Sequence, residues 1–344
     1  MALKYLPRPG RRPADPLVGR VLAQIRRDFG PITEPFEVHA PLPEVFAAAW
    51  ACLREGVLCG RVPRTWKETI AVTISLDNGC PYCVDAHSSL LHSAGGAKTT
   101  WALRREGRSA IADPELRAVA DWAAATRSPG AAILIQPPFG PAEAPEMVAA
   151  AACFHYINRL VTVFLGESPF PTRSRLFETP IVFFSAQFFR PRVRRRLPPG
   201  ESLPLIGAGI DMADLPADLG WGGPRPEIGG PFGTMAALLE GEIAEPLGGG
   251  AVEAVRRRIL AWQGEDLPLG NAWVDGVTGE IPARHRSAAR LALLTALAPY
   301  RVDAGEVAAF RADWPGDQPL AAITVWASFT AARRICSWLD PFPR

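Results

Sequence analysis

Cysteine is scarce in this sequence: six in 344 residues, at 52, 59, 80, 83, 153 and 336. That density excludes a small disulfide scaffold. Only one CxxC occurs, so no four-cysteine zinc site is spelled out. No continuous run reaches the ~20 apolar residues a membrane helix needs. The opening stretch "MALKYLPRPGRRPADPLVGR" has Arg and Pro where a secretory signal needs an apolar region. The net charge of +2 gives no argument for a nucleic-acid partner. Sustained period-2 alternation is nearly absent, so little argues for strands. These absences lead to the expectation of a cytoplasmic protein in a reducing compartment, with no nucleic-acid or membrane partner.

What is present is apolar sequence at helical spacing. The chain is 48% hydrophobic and 21% charged, enough for a proper core. Val45, Phe46, Ala49, Trp50 and Leu53 recur on one helix face. "WKETIAVTISLDNG" predicts a helix stopped by Asn78-Gly79. "DPELRAVADWAAAT" predicts another, capped by Asp113 with Pro114 in its first turn. A long apolar helix is expected over 147–165. Residues 166–235 are rich in Pro and Gly and read as a connector with one short aromatic helix. Helices return over 236–344. The chain therefore reads as all-α, with helical units at 1–165 and 236–344.

The two units echo one another. "PYCVDA" at 81–86 recurs as "PYRVDA" at 299–304, each after an apolar helical run. Each unit closes with a long helix carrying an arginine, Arg159 in one and Arg333 in the other. Aligned without gaps, Glu68 falls on Arg286, Cys80 on Ala298, Cys83 on Arg301 and His87 on Gly305. A duplicated unit that has lost its chemistry in the second copy accounts for this pattern.

The chemistry of the first copy lies in "NGCPYCVDAHS". Pro81 belongs in the first turn of a helix, so a new helix is expected to start at Cys80. Cys80, Cys83 and His87 then share one face. Both sulfurs lie where the helix dipole favours thiolate. His87, one turn on, can exchange a proton with Cys83. If the two helices fold back as a hairpin, Glu68 reaches the level of His87 and orients its ring. A thiolate that attacks a hydroperoxide becomes a sulfenic acid, and a neighbouring thiol converts it to a disulfide.

The segment "KETIAVTISLDNGCPYCVDAHSSLLHSAGG" resembles the core motif of the AhpD / carboxymuconolactone decarboxylase family, with Glu68 twelve residues before Cys80. The resemblance is strong over about 44–100, and the second half resembles a degenerate copy. It implies an all-helical AhpD-like fold, usually oligomeric, in two tandem units here. It implies a thiol peroxidase with Cys83 attacking, Cys80 resolving, and His87 with Glu68 as proton relay. No metal or organic cofactor is implied. The substrate would be a peroxide, and electrons would come from a dithiol protein or small thiol. Tyr82 stands where AhpD itself has a histidine.

Other readings stay open. "CPYCVDAHSSLLH" offers two Cys and two His for zinc, but His92 points about 140° from His87 on an ideal helix. The pair could be inert, or could serve a redox sensor or disulfide oxidoreductase that turns over little peroxide. The decarboxylases of the family share the fold without a cysteine pair. Cys52, Cys59, Cys153 and Cys336 read as core thiols, and His155 as a satisfied core histidine. Asn158 and Arg159 could meet a substrate or hold a helix end. "RPRVRRR" (190–196) reads as a solvated connector face, or as a binding site for an anionic partner or membrane surface.

Overall fold

A computed structural model describes the chain except for residues 1, 2, 11, 167, 170–174, 249 and 340–344 and the side chains of 175–183. Helices run in the order α1 (Pro16–Asp28), α2 (Glu34–Glu37), α3 (Pro43–Leu53), α4 (Arg64–Asp77), α5 (Pro81–Ser93), α6 (Ala97–Arg105), α7 (Pro114–Ala125), α8 (Ala132–Ile135) and α9 (Ala144–Phe164). α10 (Arg175–Val193) follows. The second half holds α11 (Pro226–Ile243), α12 (Ala251–Ala261), α13 (Ala272–Thr278), α14 (Ala283–Leu297), α15 (Ala304–Asp313) and α16 (Asp317–Cys336). Among the described residues the β-type pairing is an isolated parallel bridge between Cys59 and Leu197. The chain is all-α.

Local chemistry sets many of these boundaries. The Asp15 carboxylate accepts from the Leu17 and Val18 amides and starts α1. Asp113 does the same for α7 through Glu115 and Leu116, with Pro114 in the first turn. α1 buries Val18, Val21, Leu22 and Ile25, the spacing of one apolar stripe.

α9 is the axis of the first half, and α16 that of the second, and the two pack on each other. α4 leans on α5, α7 and α9, while α14 leans on α12, α15 and α16. α9 corrects one expectation: by length and composition it is apolar enough to cross a membrane. Its apolar window is 94% buried inside the protein. Small residues, Ala149 to Ala152 among them, let neighbouring helices approach it closely.

Two further expectations need correction. The connector carries a 19-residue helix, α10, longer than the short piece expected. It lies along α5, where Ser185 Oγ meets Ser89 Oγ at 2.8 Å and Ser93 Oγ donates to the Ala186 carbonyl at 2.7 Å. The segment after it also structures itself on the first half, through the Cys59–Leu197 bridge. The boundary at 235–236 falls inside α11, which starts at Pro226 and carries Pro231 in its body. Burial of Ile228, Phe232 and Met235 holds that helix despite its glycines and proline.

Between α3 and α4 the chain makes a π-helical turn, Arg54–Leu58, that packs on α9. A Cβ at Gly56 would stand 2.8 Å from the Cβ of Ala149. Ala149 has no flexible end to move away, so overpacking outweighs the lower backbone entropy that Ala gives the unfolded chain. Gly56→Ala is therefore expected to cost about 1–3 kcal/mol. Urea denaturation reads this directly, and an unchanged or raised midpoint would refute the close contact.

Candidate active site

The site is built on the α4–α5 hairpin. At its turn the Cys80 amide donates to the Ser75 carbonyl at 2.9 Å, and the Gly79 amide to the Leu76 carbonyl at 3.1 Å. These two bonds are a Schellman motif, and they require a left-handed residue between them. Gly79 supplies it at φ 63°. Cys80 is then the N-cap of α5 and Pro81 its first residue, one position later than the sequence suggests.

The turn sends α5 back along α4. Glu68 and His87, nineteen positions apart, meet at 2.7 Å between Oε2 and Nδ1. A neutral ring that donates its Nδ1 proton to the carboxylate in a hydrogen bond keeps its lone pair on Nε2. The ring packs edge-to-face on Phe154 of α9, with centroids 4.6 Å apart. The other Glu68 oxygen accepts from Arg64, one turn earlier, at 2.6 Å. Burial alone pushes the Glu68 carboxyl up, but Arg64 and His87 outweigh it and hold it below the usual range. Arg64 was not singled out from the sequence, although its i,i+4 spacing to Glu68 is a readable signal.

The two thiols sit at the other end of α5's first turns. Cys80 is 1% and Cys83 3% exposed. The Cys83 thiol lies beside that of Cys80 and beside the Asn158 amide from α9. Burial pushes the Cys83 thiol well up, Cys80 adds to the rise, and Asn158 pulls it down. The helix dipole does not make a ready thiolate here, because desolvation dominates in so enclosed a place.

Asn158 belongs to a buried polar chain. Its Nδ2 donates to Ser75 Oγ at 3.1 Å, and its Oδ1 accepts from Asn78 at 3.0 Å. His155 lies 3.3 Å from Asn78 through Nδ1 and 2.8 Å from Thr126 Oγ1 through Nε2, a satisfied core histidine. Arg159 holds a helix end, donating Nε to the Ala296 carbonyl of α14 at 2.7 Å. Cys52, Cys59, Cys153 and Cys336 are buried, as expected of core thiols. His92 stands edge-on to Trp101 rather than joining the cysteines. Among the described residues no three His, Cys, Asp or Glu side chains gather as metal ligands.

The raised thiol gives a signed expectation. In a Cys80→Ser background, alkylation of Cys83 should be slow at neutral pH and keep accelerating as pH rises into the alkaline range. Asn158→Ala removes the group that lowers the thiol's pKa, so it should move that rise to still higher pH. Trapping with a small alkylating agent across pH measures both. A plateau already reached below neutrality, or a shift to lower pH in Asn158→Ala, would overturn the burial argument.

Comparison with known proteins agrees with this architecture. Residues 43–125, from α3 through α7, match the carboxymuconolactone decarboxylase family. The chain is also 37% identical over 328 residues to an alkyl hydroperoxide reductase of Mycobacterium tuberculosis. That alignment covers 95% of this chain and 92% of the relative, so the likeness extends through the second half. The chain belongs to the carboxymuconolactone decarboxylase family, among its AhpD-like members.

Proposed function

We propose that this protein is a thiol-dependent peroxidase acting on organic hydroperoxides. The observation that carries the reading is the Glu68–His87 pair, placed one turn beyond a cysteine whose neighbour is a second cysteine. The name of the M. tuberculosis relative supports the same reaction class.

The steps follow from the groups present. The Cys83 thiol loses its proton to a base, a role assigned to His87 Nε2 with Glu68 balancing the imidazolium charge. The thiolate attacks one peroxide oxygen and the O–O bond breaks. The alkoxide leaves and takes the proton from His87 as an alcohol, and Cys83 becomes a sulfenic acid. The Cys80 thiol attacks the Cys83 sulfur, releasing water and forming the disulfide. A dithiol reductant then returns both cysteines to thiols by exchange. Asn158 holds the attacking sulfur in place and favours its charged form.

Burial of both cysteines supports a second reading, a redox sensor or disulfide oxidoreductase. Such a protein forms the 80–83 disulfide but consumes little peroxide. The decarboxylase activity in the family's name finds less support, since a cysteine pair has no part in it.

Peroxide consumption with an organic hydroperoxide and a dithiol reductant separates these. Wild type should turn over continuously and Cys83→Ser should not react. Cys80→Ser should stop after about one equivalent, because the sulfenic acid has no resolving partner. Disulfide formation without turnover in the wild type would replace the peroxidase reading with the sensor. No disulfide at all would refute both.

A further inference from the structure

The Arg-rich run that the catalytic reading leaves unused has a definite place in the fold. Arg194, Arg195 and Arg196 line a cleft of about 600 Å³, together with Arg61 and Arg64 from the segment that leads into α4. Val57, Leu58, Val62, Val193 and Leu197 form its aliphatic walls. Arg61, Arg194, Arg195 and Arg196 are exposed. No carboxylate is paired with any of these four among the described residues. Two nearby acids are already engaged: Glu146 accepts from the Arg61 and Val62 amides, Lys67 and Arg225, and Glu68 accepts from Arg64.

Two further features point the same way. α4 begins at this cleft with Pro63 and Arg64, and no side chain caps its first amides. The positive end of a 14-residue helix therefore adds to the guanidinium field. The arginine segment is also held in position. The Cys59–Leu197 bridge joins it to the π-helical turn. Buried Arg54 donates to the Pro198 carbonyl at 3.1 Å, and Glu55 accepts from Gly200 at 2.8 Å and Ser202 Oγ at 2.6 Å. Like charges gathered without counter-charges repel one another, and a bound anion relieves that repulsion.

We propose that this cleft binds a small phosphate-bearing anion. Guanidinium forks suit phosphate oxygens bidentately. A concave site of this size suits a small molecule better than a flat protein or membrane surface. Arg64 gives the site a link to the chemistry: it lines the cleft and donates to Glu68, which in turn holds His87. An anion in the cleft competes with Glu68 for that guanidinium. The link rests on the peroxidase reading; the binding does not.

Calorimetric titration of the full chain with inorganic pyrophosphate tests the site. Saturable binding at one site is expected. Arg195→Glu should weaken it by about tenfold or more, the worth of a charge-assisted hydrogen bond. Arg257→Glu, the same charge change on exposed α12, should leave it intact. Arg61→Ala, in the other lining segment, should also weaken it. Arg195 is exposed and among the described residues its side chain has no partner, so its variant should fold, and thermal melting checks this. Absence of saturable binding overturns the proposal, as does equal weakening by Arg257→Glu. A glutamate-rich peptide that binds in an Arg195-dependent way while pyrophosphate does not would assign the cleft to an acidic protein and overturn it too.

Discussion

The turn between α4 and α5 is the constraint on which the site depends. It needs three residue types in sequence: a glycine at positive φ, a residue that ends one helix and opens the next, and a proline that cannot continue the first. The Schellman bonds close α4, and Pro81 opens α5 at once. With so short a connection the two helices must run back along each other. Only then do Glu68 and His87 meet, and only then do both cysteines come to rest against α9.

That enclosure decides the electrostatics. A helix N-terminus stabilises a thiolate by a fraction of a kcal/mol to about 2 kcal/mol. Removing a thiol from water can shift it by several pKa units the other way. For Cys83 the second effect wins, and Asn158 recovers part of the loss. Such a thiol is protected from casual oxidation and needs a base at the moment of reaction. The carboxylate system is built oppositely: Glu68 is as buried as Cys83, yet Arg64 and His87 keep it ionised. The site thus holds its negative charge on Glu68 and not on Cys83.

What the sequence discloses follows the range of the interaction. Helix stops, caps and the CxxCxxxH spacing are local, so Asn78-Gly79, Asp113 and the one-face arrangement on α5 were readable. The Glu68–His87 contact was also within reach, because a hairpin with a known turn fixes the level of both residues. α10 was underestimated, since Pro180 and Pro191 and its mixed polarity obscure a helix defined by packing on α5. α11 was misplaced for the same reason, with Gly229, Gly230 and Pro231 outweighed by buried neighbours. Asn158 could not be assigned: its partners Cys83, Ser75 and Asn78 are some eighty residues away in sequence, and only the packing of α9 joins them.

The echo in the second half is built differently from the α4–α5 turn. Its "PYRVDA" does not open a helix at the proline. Pro299–Arg301 form a 3-10 turn, and Asp303 caps α15 by accepting from Glu306 at 3.0 Å. In the first half the corresponding Asp85 lies inside α5 and pairs with Arg104 at 2.8 Å. The second hairpin is therefore looser, and among the described residues no acid–imidazole pair spans it. Its contribution is mechanical: α16 buttresses α9, and the Ala296 carbonyl receives Arg159, the residue next to Asn158. Burial lowers the Arg159 guanidinium to about 9, a cost that its carbonyl bonds to Ala296 and His155 offset. Holding α9 from behind fixes the rotation of that helix. The rotation of α9 in turn sets where Asn158 meets Cys83. The second half thereby helps to place Asn158 beside Cys83.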